Sequence, residues 1–79
     1  MKEDRLDIHG MVEADAIKVI EKHIAQLPTS CERLIIIHGY RDGQTLKNMV
    51  ASPHKIRSKR IKRRRYSQNP GETILELYT

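Results

Sequence analysis

The sequence predicts an α/β domain: a two-layer α/β sandwich with the order β-α-β-α-β-β and a mixed sheet. Three patterns support this prediction. Apolar residues recur at helical spacing in the N-terminal half, a run of four aliphatic residues follows a polar turn, and an alternating segment follows an Asn-Pro-Gly turn near the C-terminal end. The chain has 79 residues, the size of one domain, so residues 1–79 are treated as a single unit.

The first element is a short strand, predicted over residues 5–9. Leu6 and Ile8 alternate with Asp7 and His9, and Gly10 follows as a turn residue. Strand side chains repeat every two residues, so Asp7 and His9 share the face opposite Leu6 and Ile8. A carboxylate two residues from an imidazole on one face is able to orient that ring and fix its tautomer. The alternative is a surface aspartate beside a turn histidine.

A helix and a central strand follow. Residues 12–26 carry apolar side chains at three- and four-residue steps, which predicts an amphipathic helix that ends before Pro28. Residues 33–38 include four consecutive aliphatic residues, which is typical of a strand covered on both faces. Strand, helix and strand at this spacing predict a right-handed βαβ unit with parallel strands.

The C-terminal half predicts one more helix and a hairpin. Residues 44–50 have inward-facing apolar positions and form the second predicted helix. Residues 61–66 and 73–78 flank an Asn-Pro-Gly turn and predict two antiparallel strands. The first of them is nearly all basic, which suits the edge of a sheet, where charge prevents unwanted strand pairing.

A block of positive charge overlaps that strand. Eight of the eleven residues from 55 to 65 are Lys or Arg, and the rest of the chain has a small net negative charge. Such a block is the electrostatic pattern of a protein that binds nucleic acid, whereas a membrane-binding segment would also need a large apolar face. The residues of this basic block, all predicted to contact phosphate, are Lys55, Arg57, Lys59, Arg60, Lys62, Arg63, Arg64 and Arg65.

Cysteine content and hydropathy indicate a cytoplasmic protein. The single cysteine, Cys31, excludes an internal disulfide and fits a reducing compartment. The N-terminus lacks the apolar segment of a signal peptide, and the longest aliphatic run is too short to span a bilayer. We expect no membrane association, and a monomer by default.

Two motifs give the chain a family resemblance. LDIHG at residues 6–10 and IIIHGYRDGQTLKNMV at residues 35–50, followed by the C-terminal hairpin, resemble a stand-alone Smr (small MutS-related) domain over almost the whole chain. The resemblance implies a fold similar to the C-terminal domain of translation initiation factor three. Members of the family are described as nucleic-acid binders and as nicking or RNA-cleaving endonucleases.

The chain departs from the family pattern at two positions. The second motif usually reads HGxG, and its last glycine is Arg41 here, with the next glycine at Gly43. The helix after LDIHG usually begins with a threonine cap, and Val12 in that place has no side-chain acceptor. The first departure opens two alternatives, a loss of cleavage or a stronger grip on phosphate by Arg41.

The resemblance and the strand directions together predict a site. Asp7, His9 and His38 are the predicted catalytic residues, since two imidazoles beside one phosphate suit general acid–base cleavage. His38 ends the apolar strand, and the alternative is that it packs in a hydrogen-bonded core position. Backbone N–H groups in the loop from Gly39 to Gly43, together with Arg41, are predicted to bind phosphate, unless the loop is a plain connection.

Nucleic-acid binding with endonuclease activity, RNA cleavage or DNA nicking, is therefore the predicted function. The chain lacks a Walker motif, which argues against nucleotide hydrolysis. No cofactor is indicated, and a divalent metal such as Mg²⁺ is compatible with the chemistry but not indicated by ligand spacing. One alternative is a non-catalytic module that binds RNA, DNA or the ribosome. Another is a protein–protein module whose basic block meets an acidic partner.

Overall fold

A computed structural model of the chain describes residues 2–40 and 44–79. Its elements follow the predicted order. The first strand lies two residues earlier than the alternation predicted, because Glu3 and Asp4 pair with the neighbouring strand through a register that no local pattern reveals. The elements are β1 (Glu3–Asp7), α1 (Glu13–Gln26), β2 (Arg33–Ile37), α2 (Gln44–Ala51), β3 (Ile61–Tyr66) and β4 (Glu72–Leu77).

The sheet is mixed, as predicted, with the strand order β1-β2-β4-β3. β1 and β2 are parallel, and β4 is antiparallel to both β2 and β3. β1, β2 and β3 therefore all end at the same edge of the sheet, where β4 begins. We call this edge the rim. The basic strand β3 lies at the side of the sheet, which confirms its prediction as an edge strand.

The two helices pack on one face of the sheet and enclose the core. Alternate residues of β2 and β4 turn toward them, as in any strand covered on one side. The fully buried aliphatic side chains come from every layer of the sandwich, and burial of each stabilises the fold by about 1.5–3 kcal/mol. They include Ile8, Ile20, Ile24, Leu34, Ile36, Val50 and Leu75.

Cross-strand ion pairs cover the opposite face of the sheet. Arg5 pairs with Glu72 across β2, and Arg63 and Arg65 lie 3.6 and 2.6 Å from the Glu76 carboxylate. The long arginine side chains overlie the aliphatic centre of this face, where Ile35 is only 7% exposed. A two-layer fold thus protects its second sheet face with charge rather than with a third layer.

The ends of α1 follow from its flanking residues. Val12 occupies the N-cap position without a side-chain hydrogen bond, as its aliphatic side chain dictates. Glu13 and Asp15 lie in the first turn, where the helix dipole favours acids. Leu27 is extended, because the residue before a proline avoids helical backbone angles, and α1 ends there. In the described part of the chain, neither helix combines the length and the hydropathy needed to cross a membrane.

Candidate nucleic-acid site at the rim

The end of β1 carries a hydrogen-bonded carboxylate–imidazole pair. His9 Nδ1–H donates to Asp7 Oδ1 over 2.5 Å, and the backbone N–H of His9 donates to the same oxygen over 3.0 Å. The first of these bonds, followed by the second, holds the pKa of the Asp7 carboxyl below its usual range, so the carboxylate is ionised at neutral pH. Asp7 thereby fixes the proton of His9 on Nδ1 and leaves Nε2 as the reactive nitrogen.

This pair is open to solvent. The side chain of His9 is 69% exposed and that of Asp7 is 50% exposed. Within residues 2–40 and 44–79, no hydrogen-bond partner occupies His9 Nε2. The strand pattern thus correctly brought Asp7 and His9 together, although His9 lies just beyond the last residue of β1.

His38 has a different environment. It is 1% exposed, Nδ1–H donates to the Gly39 carbonyl over 3.0 Å, and Nε2 accepts from the Thr73 hydroxyl over 2.9 Å. A neutral ring protonated on Nδ1 satisfies both bonds. His38 therefore lies in a hydrogen-bonded core position, which was the alternative to a catalytic role. Direct proton exchange between His38 and a substrate stays a prediction.

Gly39 fits closely between these two histidines. It has a φ of +91°, a backbone conformation that favours glycine, and a Cβ there would stand 3.4 Å from the Cβ of His9. Its N–H and that of His38 both donate to the Gly71 carbonyl, over 3.1 and 2.9 Å. The hairpin turn is thus tied to the end of β2, and the Gly39 N–H is not available to a phosphate in this arrangement.

A cleft of about 580 Å³ lies at the rim between the β1–α1 and β2–α2 connections. His9 and His38 both line it, together with Gly39 and residues of the first turn of each helix. The parallel pairing of β1 with β2 explains this convergence, because adjacent parallel strands end side by side and ligands of open α/β sheets bind there. Arg41 and Gly43, the other predicted phosphate contacts of this loop, lie outside the described residues.

Two arginines of the basic block bind the ends of helices. The guanidinium group of Arg60 donates to the carbonyls of Ile24, Leu27 and Pro28 over 2.6, 2.7 and 2.9 Å, which caps α1. Arg64 does the same for the end of α2 through the Val50 carbonyl, at 3.0 Å. Burial lowers the pKa of Arg64, as expected of a cation turned into the protein.

Three further cations of the block have acidic partners. Arg63 and Arg65 pair with Glu76. The hydrogen bond from Arg65, followed by the charges of Arg65 and Arg63, holds the pKa of the Glu76 carboxyl below its usual range. Lys55 Nζ lies 2.7 Å from Glu13, whose side chain lines the rim cleft. Charge density in the sequence did not reveal these pairings, and contact of the three cations with phosphate stays a prediction.

The remaining three cations form no salt bridge in the described ranges, although the charge of Lys62 helps to lower the pKa of the Glu76 carboxyl. Arg57 donates from Nε to the His54 carbonyl over 3.3 Å, and no salt bridge involves Arg57, Lys59 or Lys62. Lys59 and Lys62 flank the start of β3, at the end of that strand remote from the rim. The basic block therefore approaches the rim at two places, at Lys55 beside Glu13 and at the end of β3.

Two tyrosines and a lysine also lie near the rim. Tyr40 and Tyr66 are 73% and 77% exposed there. Lys47 Nζ lies 5.5 Å from the centroid of the Tyr66 ring. Among the described residues, no cluster of three or more His, Cys, Asp and Glu side chains has the geometry to hold a metal ion.

Comparison with known proteins identifies the fold. The structure matches the crystal structure of the Smr domain of Thermus thermophilus MutS2, with a TM-score of 0.71, 18% sequence identity and coverage of 100% of both chains. No family model matches the sequence, and no curated protein matches it. The chain therefore has the fold of an Smr domain, which confirms the fold class that its two histidine motifs implied.

Proposed function

We propose that this domain binds nucleic acid across the rim and cleaves its phosphodiester backbone, with RNA the favoured substrate over DNA. The observation that carries the proposal is the exposed Asp7–His9 pair at the edge of a cleft, where no partner from residues 2–40 and 44–79 occupies His9 Nε2. An imidazole oriented by a buried or ionised carboxylate is the usual general base of an enzyme that works near neutral pH. The Smr fold and the positive net charge of +5 agree with a nucleic-acid substrate.

The chemistry follows from the position of the proton on His9. With Nδ1–H bonded to Asp7, Nε2 accepts the proton of a ribose 2′-hydroxyl. The 2′-oxygen then attacks the adjacent phosphorus, the bond from phosphorus to the 5′-oxygen breaks, and that oxygen takes a proton from water. His9 returns the proton it accepted to solvent, and the products are a 2′,3′-cyclic phosphate and a 5′-hydroxyl. In this scheme His9 is the catalytic residue and Asp7 orients it, while His38 holds Gly39 and thereby the floor of the cleft.

The test is cleavage of three substrates, single-stranded RNA, folded RNA and supercoiled DNA, each with and without a chelator. Proton transfer by a positioned side chain contributes about 10²–10⁴-fold, so His9→Ala should lower the cleavage rate by that factor. Asp7→Asn should lower it less, because the amide oxygen still accepts the Nδ1–H. His54→Gln is the matched control, as His54 lies on the α2–β3 connection and contacts Ser52 through its backbone. Undiminished cleavage by His9→Ala would exclude the proposal.

A second function, binding without catalysis, is favoured by one observation. His38 has both ring nitrogens occupied within the chain, so the cleft offers one unoccupied imidazole rather than two. A non-catalytic module would bind RNA or DNA with equal affinity before and after His9→Ala, and no substrate would be cleaved.

Salt dependence measures how the basic block takes part in either function. Contact by the three cations that form no salt bridge would weaken binding between ~50 and ~200 mM salt by about 20-fold for a single strand and about 40-fold for a duplex. Five phosphate contacts would weaken it by about 10²–10³. The slope of log affinity against log salt therefore distinguishes a block that is largely neutralised internally from one that opens its ion pairs on binding.

A further inference from the structure

The exposed aromatic residues of this domain have an unusual distribution. The chain has three tyrosines and neither Phe nor Trp, and Tyr40, Tyr66 and Tyr78 are 73%, 77% and 57% exposed. Aromatic rings contribute more than any other side chain to a small core, so a domain of this size gains stability by burying them. The two most exposed rings lie at the rim, and that placement points to a ligand.

Tyr40 and Tyr66 flank the candidate site from two sides. Tyr40 follows Gly39 and lines the same cleft as His9. Tyr66 ends β3 and pairs with Thr73, whose hydroxyl donates to His38. Tyr78 follows β4 at the opposite end of the sheet, where its backbone N–H donates to the Arg60 carbonyl over 2.8 Å.

One face of Tyr66 is already occupied by a cation. Lys47 Nζ lies 5.5 Å from the ring centroid, within the range of a cation–π contact. No carboxylate within the described ranges pairs with Lys47, so its charge stays available to a phosphate. A flat ring with a cation on one face and solvent on the other is suited to stack on a base while the cation contacts the backbone.

We propose that Tyr40 and Tyr66 are stacking platforms for unpaired bases, so that the nucleic acid bound at His9 is single-stranded where it crosses the rim. This inference rests on the proposed function and names its substrate class. Three strand spacings separate β1 from β3, about 14 Å, which is about four nucleotides at the stacked spacing of 3.4 Å. A duplex offers its base faces only at its ends, so two exposed rings along a rim match a single strand.

The test compares binding of one short oligonucleotide, single-stranded and annealed to its complement, by fluorescence anisotropy. Tyr40→Ala and Tyr66→Ala should each weaken single-strand binding by about 5- to 150-fold, the range for loss of one stacked base. Duplex binding should change less than twofold. Tyr40→Phe and Tyr66→Phe keep the ring and should bind as wild type does, and Tyr78→Ala is the matched control at the far end of the sheet.

A second readout uses the absence of tryptophan. All aromatic fluorescence of this chain comes from tyrosine. Stacked bases should quench this emission in the wild type, and they should quench it less in each alanine variant. Equal affinity for duplex and single strand, or unchanged affinity in both alanine variants, overturns the inference. So does binding confined to an acidic protein or to anionic vesicles.

The outcomes separate this inference from the proposed function. Tyrosine-dependent binding of single strands without cleavage of any substrate supports the stacking platforms and removes the nuclease. Cleavage that depends on His9 but is equal for single-stranded and paired substrates, before and after the tyrosine changes, supports the nuclease and removes the platforms.

Discussion

Replacement of His38 decides whether this histidine acts in the chemistry or in the fold. Asparagine at this position keeps a donor near the place of Nδ1 and retains the bond to the Gly39 carbonyl. Glutamine keeps a polar group near the place of Nε2 and retains the bond to Thr73. Each variant therefore loses one of two buried hydrogen bonds, and His38→Ala loses both and leaves a cavity.

The expected magnitudes follow from burial. Leaving one buried partner unsatisfied costs about 1–3 kcal/mol, so the asparagine and glutamine variants should each lose about that much stability. Loss of both bonds together with the cavity raises the cost for His38→Ala to about 3–5 kcal/mol. In a domain of this size each 1 kcal/mol lowers Tm by about 4–8 °C. Thermal and urea unfolding, followed by circular dichroism, measure both quantities.

His9→Ala is the control for this experiment. Its side chain is 69% exposed, and a surface substitution of this kind changes stability by about 0.5 kcal/mol or less. The two sets of variants should show opposite profiles: the His38 variants lose stability first, and His9→Ala loses cleavage alone. Asparagine and glutamine variants of His38 that unfold at the wild-type Tm and yet fail to cleave would refute the structural role.

Three further predictions concern charged groups. Arg60→Lys keeps the charge but loses the contacts to three carbonyls, so it should destabilise the fold by about 1–2 kcal/mol. The slope of log affinity against log salt should not change. Weaker binding at unchanged stability would contradict the capping role of Arg60. Glu76→Gln releases two arginines and should steepen the salt slope by about 1–2, measured by anisotropy. The hydrogen bond from His23 lowers the pKa of Asp4 from 3.8, so this carboxylate stabilises the fold above pH 3.8 and the contribution is lost as the pH falls through its folded pKa. Asp4→Asn should therefore cost about 0.5 kcal/mol at neutral pH, and the difference from wild type in urea unfolding should disappear in strong acid.

Sequence alone was sufficient to place the two histidines because strand polarity is a topological property. Once β1 and β2 are parallel, the residues that follow them meet at one rim, and His9 and His38 line one cleft. Strand polarity does not decide whether His38 is buried. Its burial depends on Thr73, which lies 35 residues away in sequence and which β4 places beside the ring. The two hydrogen bonds that an imidazole can form suit a core position as well as a catalytic one.

The fate of the basic block could not be predicted for a related reason. A cluster of Lys and Arg has the same composition whether its cations face solvent, cap helices or pair with acids. Arg60 and Arg64 meet the carbonyl ends of α1 and α2, which are distant in sequence and have no local signature. His23 illustrates the same limit. Its neighbours along α1 do not reveal a partner, and its Nε2 lies 2.9 Å from Asp4 on β1.

The internal use of its arginines changes where this domain should attract nucleic acid. If five of the eight cations of the basic block stabilise helix ends or neutralise Glu13 and Glu76, the block is a structural edge with a residual positive field rather than the main binding surface. The rim then has to supply the specific contacts, and it offers an oriented imidazole and two exposed rings. A nucleic acid attracted by the positive charge of β3 would reach Tyr66 first and His9 last. Shortening the oligonucleotide from its Tyr66 end should therefore lower its affinity before it lowers the rate of cleavage per bound molecule.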